Sequence, residues 1–349
     1  MQFTHDWLPQ RVRFTTGRAA EAVAEEVRRL GATRVMAIAS DASRAEPVLA
    51  DVPAEVLHTE VVMHVPQEVA ERARAVAAEH GADALVAVGG GSTTGLGKAV
   101  ALTTGLPLVA VPTTYAGSEA TDVWGLTSEG RKTTGTDPRV LPRAVVYDAG
   151  LMVTLPVPTS VASGLNALAH CVDSMWAPRS DPIDRALALE GTRALCTGLP
   201  QVVEDPMELA GREQTLYGAY LAAVAFASAG SGLHHKICHV LGGMFDLPHA
   251  ETHAVVLPHV LALNAPAVPD LDRRMAEALG ADSGLAGVLA LRDELGAPRA
   301  LRDLGLRAED VPQAVQPILE ATPASNPVPV TAEDIETLLG AAWEGRTPT

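Results

Sequence analysis

"ALVAVGGGSTTGLGKAVAL", residues 84–102, decides the fold. An unbroken apolar run from Ala84 to Val88 ends in three consecutive glycines, and a helix-forming stretch follows. A short continuous apolar run closed by glycine reads as a strand buried on both faces. Glycines let the backbone approach a ligand closely. The helix behind them would aim free N–H groups and its positive dipole end at the turn. The stretch therefore reads as strand, anion-binding turn and helix.

Similar runs lie on either side. "RVMAIAS" (34–40) follows the amphipathic "GRAAEAVAEEVRRLG" (17–31), which Gly31 stops. "PQEVAERARAVAAEHG" (66–81) is a second helix with a glycine stop, and "LPLVAVPTT" (106–114) and "RAVVYDA" (143–149) are further strands. Apolar strands alternating with helices indicate a parallel sheet covered on both faces. Residues 1–155 are expected to form a doubly wound α/β dinucleotide-binding domain. From 156 to 349 strand signals fade, and helical patterns follow one another at 160–177, 183–198, 206–230, 232–243, 253–264, 270–280, 285–295 and 332–344. That half is expected to be an all-helical domain carrying the chemistry.

Composition narrows the function. The 349 residues carry a formal net charge of −16, with cations scattered rather than gathered into a basic stripe, which argues against nucleic acid. The three cysteines, Cys171, Cys196 and Cys238, make no disulfide framework and fit a reducing cytoplasm. The longest apolar run, "YLAAVAFASAG" (220–230), is too short to span a bilayer, so no membrane partner is expected.

The glycine turn matches neither common phosphate motif cleanly. The nucleoside-triphosphatase loop needs a glycine at Ser92 and a hydroxyl at Ala99, and the G-x-G-x-x-G pattern also fails. A dinucleotide held in a variant manner is the expectation. Asp41, just past a strand, is placed either to bind a ribose hydroxyl or to cap the next helix. "VPTTYAGSEAT" (111–121) supplies small hydroxyls and Gly117 at another strand end.

The second half concentrates histidines. Asn166 and His170 are four apart in "SGLNALAHCVD", as are His235 and His239 in "GLHHKICHVLGG", so each pair shares a helix face. His249 follows in "DLPHAETHAVVLPH". The spacing in "HKICH" suits a zinc peptidase, but Lys236 stands where such a site needs its general-base Glu. The imidazoles are expected to share one site.

Taken together, "GGGSTTGLGKAVAL", "VPTTYAGSEAT", "GRKTTGTDPRVLPRAVVYD", "SGLNALAHCVD" and "DLPHAETHAVVLPH" resemble the iron-containing alcohol dehydrogenase superfamily, and within it the maleylacetate reductase branch. The likeness runs from about residue 10 to residue 345. It implies a cytoplasmic, NADH- or NADPH-dependent oxidoreductase, a homodimer, with its active site in a cleft between two domains and a role in aromatic-compound breakdown. By the resemblance, Gly89, Gly90, Gly91 and Ser92 cradle the pyrophosphate and Thr113, Thr114 and Ser118 line the nicotinamide side; Lys132, in the third of these stretches, and Asp41, if it binds ribose rather than caps a helix, are further cofactor candidates. The catalytic candidates are His170, His235, His239, His249 and His253, with His239 first choice as proton donor. Asn166, Lys236, His253 and Asn326 are substrate candidates, for a small anionic keto acid.

Metal-using relatives hold iron or zinc with an Asp and three His. These positions match Asn166, His170, His235 and His249, so the one anionic ligand is replaced by an amide, and a resident metal is not favoured. A protonated histidine is expected to stand in for it. The branch's aromatic-Asn-Pro-Arg segment reads "PASNPVPVT" (323–331), with Ser325 for the aromatic and Val328 for the arginine. That departure keeps open a metal-dependent alcohol or aldehyde oxidoreductase acting on another carbonyl compound.

Overall fold

In a computed structural model, the chain is described over residues 2–6, 8–128 and 131–348, without the side chains of residues 131 and 132. It divides into two compact units, Trp7–Leu155 and the pair of segments Met1–Asp6 and Pro156–Thr349.

The first unit runs β1 (Arg11–Phe14), α1 (Ala19–Leu30), β2 (Val35–Ile38), α2 (Ala42–Ala45), β3 (Ala54–His58), α3 (Gln67–Glu79), β4 (Ala84–Gly89), α4 (Gly91–Thr104), β5 (Leu108–Pro112), the hairpin β6 (Val123–Ser128) and β7 (Arg131–Thr136), and β8 (Ala144–Tyr147). Six strands form one parallel sheet in the order β1-β8-β5-β4-β2-β3. Alternate residues of each strand enter opposite cores, as side chains on a pleated sheet must. Val35, Ala37, Val86, Val88 and Val109 pack with Ala22, Val23 and Val27 of α1. Met36, Ile38, Leu85, Ala87 and Leu108 pack with Ala70 and Ala73 of α3 and Leu96 and Val100 of α4. This is the doubly wound sheet expected from the apolar runs.

The glycine turn follows the fourth strand of the chain, two strands later than the apolar runs alone suggested, because β1 (RVRF) and β3 (AEVLH) carry charged residues at the two sheet edges. From β2 the chain steps outward to β3, then returns to the far side of β2 to build β4, β5 and β8. The order reverses between β2 and β4, where open α/β sheets bind their ligands at the strands' carboxyl ends.

The second unit is helical: α5 (Val157–Ser174), α6 (Pro182–Glu204), α7 (Leu209–Ala229), α8 (Leu233–Phe245), α9 (His249–Asn264), α10 (Pro269–Leu279), α11 (Gly284–Glu294), α12 (Val311–Ala321) and α13 (Ala332–Glu344). Helix α12 escaped the sequence reading because prolines at 312 and 317 interrupt it. Pro312 falls in the first turn, where its missing N–H costs little, and Pro317 is accommodated inside. Helices α6 and α7 approach so closely that a Cβ on Gly198 would lie 2.7 Å from the Thr215 backbone nitrogen. Leu233, Ile237 and Leu241 of α8 pack with Val256 and Val260 of α9, Ile318 of α12 and Leu339 of α13. Among the described residues, no single helix is long and apolar enough to cross a membrane.

The chain's first residues join this second unit. His5 Nδ1 lies 2.8 Å from Asp181 Oδ2 and 3.6 Å from Asp184 Oδ1 at the start of α6, where Asp181 and Asp184 form a capping box.

Candidate active site

Three neighbouring strands, β2, β4 and β5, carry all the α/β unit's candidate residues except Lys132 just past their carboxyl ends. After β4, Gly90 caps α4 with no side-chain cap, leaving the first-turn N–H groups of Gly91 and Ser92 to find other partners. A Cβ on Gly90 would lie 2.9 Å from Thr114 Cγ2, so the turns after β4 and β5 fit together only with glycine there. The Thr113 N–H donates to the Gly89 carbonyl at 3.0 Å and joins the same two turns. Gly117 adopts φ +78° and starts the short turn Ser118–Ala120. The Ser118 hydroxyl oxygen is buried with no protein partner. A free helix N-terminus, a glycine-lined turn and an orphaned hydroxyl suit a pyrophosphate and the groups beside it.

Asp41 realises its capping alternative. Its Oδ1 accepts from the Ser43 N–H at 3.0 Å and from the Ser43 hydroxyl at 2.6 Å, which holds the carboxyl below its usual range. It is exposed, with Arg44 Nε at 3.2 Å. Lys132 lies on β7, and its side chain is outside the described residues.

Sequence reasoning missed what shapes this edge. Lys98 of α4 is 1% exposed, and its ammonium reaches Ser118 O at 2.5 Å, Thr121 O at 2.8 Å, Thr121 Oγ1 at 3.0 Å and Val123 O at 2.8 Å. Burial pushes Lys98 down to about 7, opposed by the Glu119 and Asp122 carboxyls. Glu119 is itself buried and pushed up by burial, with the Tyr147 hydroxyl donating to Oε1 at 2.7 Å. One buried cation thus ties down the turn that carries Ser118.

In the helical unit the histidines do converge. His170 and His235 stack with ring centroids 4.9 Å apart, His235 and His253 lie 4.6 Å apart, and His249 and His253 lie 4.4 Å apart. His239 stands 6.1 Å from both His235 and His249. The cluster has a dry end and a wet end. His170, His235, His253 and Asn166 are buried, while His239 and His249 are exposed and Lys236 is half-buried. Phe226 of α7 closes one side, its ring 4.2 Å from His235 and 4.6 Å from His170.

Two members were not anticipated. His234, fully buried, has Nε2 2.8 Å from His253 Nδ1. Its signal was its place beside His235 and four residues before Cys238, whose Sγ is 3.7 Å from its Nε2. Asp173, three residues after His170 on the same helix, has Oδ2 2.7 Å from His235 Nδ1. The i, i+3 spacing could have found it. The thiols of Cys171 and Cys238 are buried and raised by burial, as packing residues are.

Burial corrects the expected charge. It pushes His170 and His234 down to about 3, and His235 and His253 well below the usual imidazole range, with neighbouring imidazoles adding to the effect. Burial thus works against protonation of these four rings, the opposite of what a charged stand-in for a metal would need. Asp173 is pushed up to about 7 by burial, opposed by hydrogen bonds from the backbone of His235 and Gly232.

The implied metal quartet fits poorly. Its nitrogens are not the ones that converge: the histidine group with ligand atoms within 4.8 Å of one another is His234, His235 and His253. Two of those nitrogens are already engaged with each other. Asn166 Oδ1 is buried without a partner and brings no negative charge. Asn326 is committed elsewhere. Its amide pairs reciprocally with that of Asn264, at 3.0 and 2.8 Å, and donates to Val328 O at 3.0 Å, pinning the 323–331 loop.

Comparison with known proteins agrees with this arrangement. Residues 9–149 match the iron-containing alcohol dehydrogenase family, and residues 160–343 match the C-terminal part of the Fe-containing alcohol dehydrogenase family. The chain belongs to the iron-containing alcohol dehydrogenase family. Within that family it falls in the maleylacetate reductase branch. It is 44% identical to a maleylacetate reductase of Sphingobium indicum over 351 aligned residues, covering 100% of this chain and 99% of that one. The maleylacetate reductase structure from Agrobacterium tumefaciens superposes with a TM-score of 0.95 at 42% identity, covering 100% of both chains. An iron-containing alcohol dehydrogenase structure from Corynebacterium glutamicum superposes with a TM-score of 0.98 at 56% identity, covering 100% of this chain and 98% of that one. Family membership makes the chain an oxidoreductase.

Proposed function

We propose that the chain is an NAD(P)H-dependent reductase of maleylacetate or a closely related unsaturated keto acid. Full-length similarity to maleylacetate reductases supports the substrate class. The observation that carries the reading is the buried Asn166 amide in place of a carboxylate, on the same helix face as His170 in a cluster of imidazoles, which gives the site polar donors for an acidic substrate.

The glycine turn Gly89–Ser92, the threonines Thr113 and Thr114, and Ser118 hold the cofactor. When bound, NAD(P)H supplies hydride to the alkene carbon β to the substrate's ketone. Negative charge then gathers on the ketone oxygen, and the protein must have donors in place before it develops. A neutral imidazole offers one N–H, and Lys236 is the cation near the cluster. The exposed end, His239 and His249, is where a proton can enter from water. His239 passes it to the α-carbon, which completes reduction of the double bond. Phe226 keeps one side of the cluster dry and strengthens each hydrogen bond there.

A second reading has support of its own. The 56% identical Corynebacterium structure is an iron-containing alcohol dehydrogenase, and Val328 stands where the branch has an arginine. Oxidation of NADH and NADPH, followed by absorbance with maleylacetate and with a panel of aldehydes and ketones, separates the two. Turnover of maleylacetate to 3-oxoadipate without added metal is expected. Turnover of simple aldehydes, dependent on iron or zinc and absent with maleylacetate, would overturn the proposal.

A further inference from the structure

Asp173 does more than fill space beside His235. Its Oδ2 accepts the backbone N–H groups of Gly232 at 3.0 Å and His235 at 3.2 Å, and it lies 2.7 Å from His235 Nδ1. A backbone N–H can only donate, so Oδ2 is an acceptor in this arrangement whether or not the carboxyl's other oxygen carries a proton. With any carboxyl proton on Oδ1, Oδ2 has no hydrogen of its own to give, and the ring nitrogen facing it at 2.7 Å bears the hydrogen. The other ring nitrogen, His235 Nε2, is buried and has no partner. The ring is walled by Phe226, His170, His234 and His253, and no protein acceptor bonds a second N–H there.

We propose that Asp173 is a positioning residue that locks His235 as the Nδ1–H tautomer, so that Nε2 meets the reaction as a bare lone pair that receives an O–H donor. Naming that donor rests on the reductase reading: it is water, or the enol formed when the reduced substrate takes a proton on oxygen. The lock itself does not depend on that reading. His235 then cannot be among the donors to the ketone oxygen, and that task falls to the other imidazoles and Lys236. Gly232 is part of the device, because a Cβ there would come 2.5 Å from Asp173 Oδ1. Helix α8 has no side-chain cap of its own, so the same carboxyl also closes its N-terminus from α5.

The test is the proton position, read from ring nitrogen shifts of the full-length protein labelled with 15N-histidine, the His235 signals being identified by their loss in His235→Asn. The expected result is a protonated Nδ1 and an unprotonated Nε2. A proton on Nε2 in the wild type overturns the proposal without any variant having to fold. Asp173→Asn keeps an oxygen facing the two backbone donors, so it should retain the Nδ1–H pattern. Asp173→Ala should show both tautomers and lose at least about tenfold in kcat with NADH affinity unchanged. An Asp173→Ala protein that folds, keeps a single Nδ1–H tautomer and loses nothing in kcat would show that Asp173 only caps α8. A normal tautomer pattern with no maleylacetate turnover would sink the reductase reading and leave the lock standing.

Discussion

Replacing Lys98 with methionine separates the buried cation's charge from its bulk. In the folded chain Lys98 titrates at about 7, against 10.5 for an ordinary lysine. Below pH 7 both folded and unfolded chains carry the proton. Between 7 and 10.5 the unfolded chain keeps a proton that the folded chain has shed, so stability rises with pH across that window. The ceiling is about 1.4 kcal/mol per pH unit. From pH 7 to pH 9 the wild type should therefore gain up to about 2–3 kcal/mol that Lys98→Met does not. At pH 7 the variant should already be weaker. The Thr121 hydroxyl can still donate to Ser118 O at 3.1 Å, but the carbonyls of Thr121 and Val123 lose the ammonium. Each buried acceptor left unmet costs about 1–3 kcal/mol. The chain has three lysines, Lys98, Lys132 and Lys236, so few other groups of this kind confuse the titration. Urea unfolding at pH 7, 8 and 9, followed by tryptophan fluorescence, measures both quantities. If wild type and variant change in parallel with pH, the buried-cation account is wrong. Should the methionine variant fail to fold, Lys98→Arg stays charged throughout and should abolish the same slope.

Gly90→Ala should drive a methyl group against Thr114 and part the two turns; overpacking of about 1–3 kcal/mol should lower the melting temperature, and the displaced turn should weaken NADH binding in a fluorescence titration. Asn166→Asp buries a carboxylate with no cation beside it, so it should destabilise by about 1–3 kcal/mol, and because the quartet's nitrogens do not converge, added zinc or ferrous ion should recover little of that loss; full recovery in the melting curve would refute the poor fit. Asn326→Ala orphans the buried Asn264 amide and should cost about 2 kcal/mol in urea unfolding while leaving NADH affinity unchanged.

The sheet was legible where its strands are apolar throughout. β2, β4, β5 and β8 are buried at every position and announce themselves, and the glycines after β4 mark the ligand edge. β1, β3 and the β6–β7 hairpin were not legible, because edge and surface strands carry Arg, Glu and Thr that fit a loop equally well. In the site, the i, i+4 spacings on α5 and α8 were enough to pair Asn166 with His170 and His235 with His239. The charge of these rings was not readable, since it depends on how many imidazoles and apolar groups surround each one. Lys98 and Glu119 were invisible for a related reason, and Asp173 showed only an i, i+3 spacing to His170. A charged residue in a helix pattern looks solvated until the acceptors or donors that bury it, brought from elsewhere in the chain, are known.

The His5–Asp181 contact spans 176 positions. The segment around His5 is thus made well before the helix it docks on. During synthesis the α/β unit, contiguous from residue 7 to residue 155, can complete its sheet while the segment around His5 waits for a helix not yet translated. That contact closes only once the ribosome has passed the start of α6, so a local element of the second unit joins across the whole of the first in translation order.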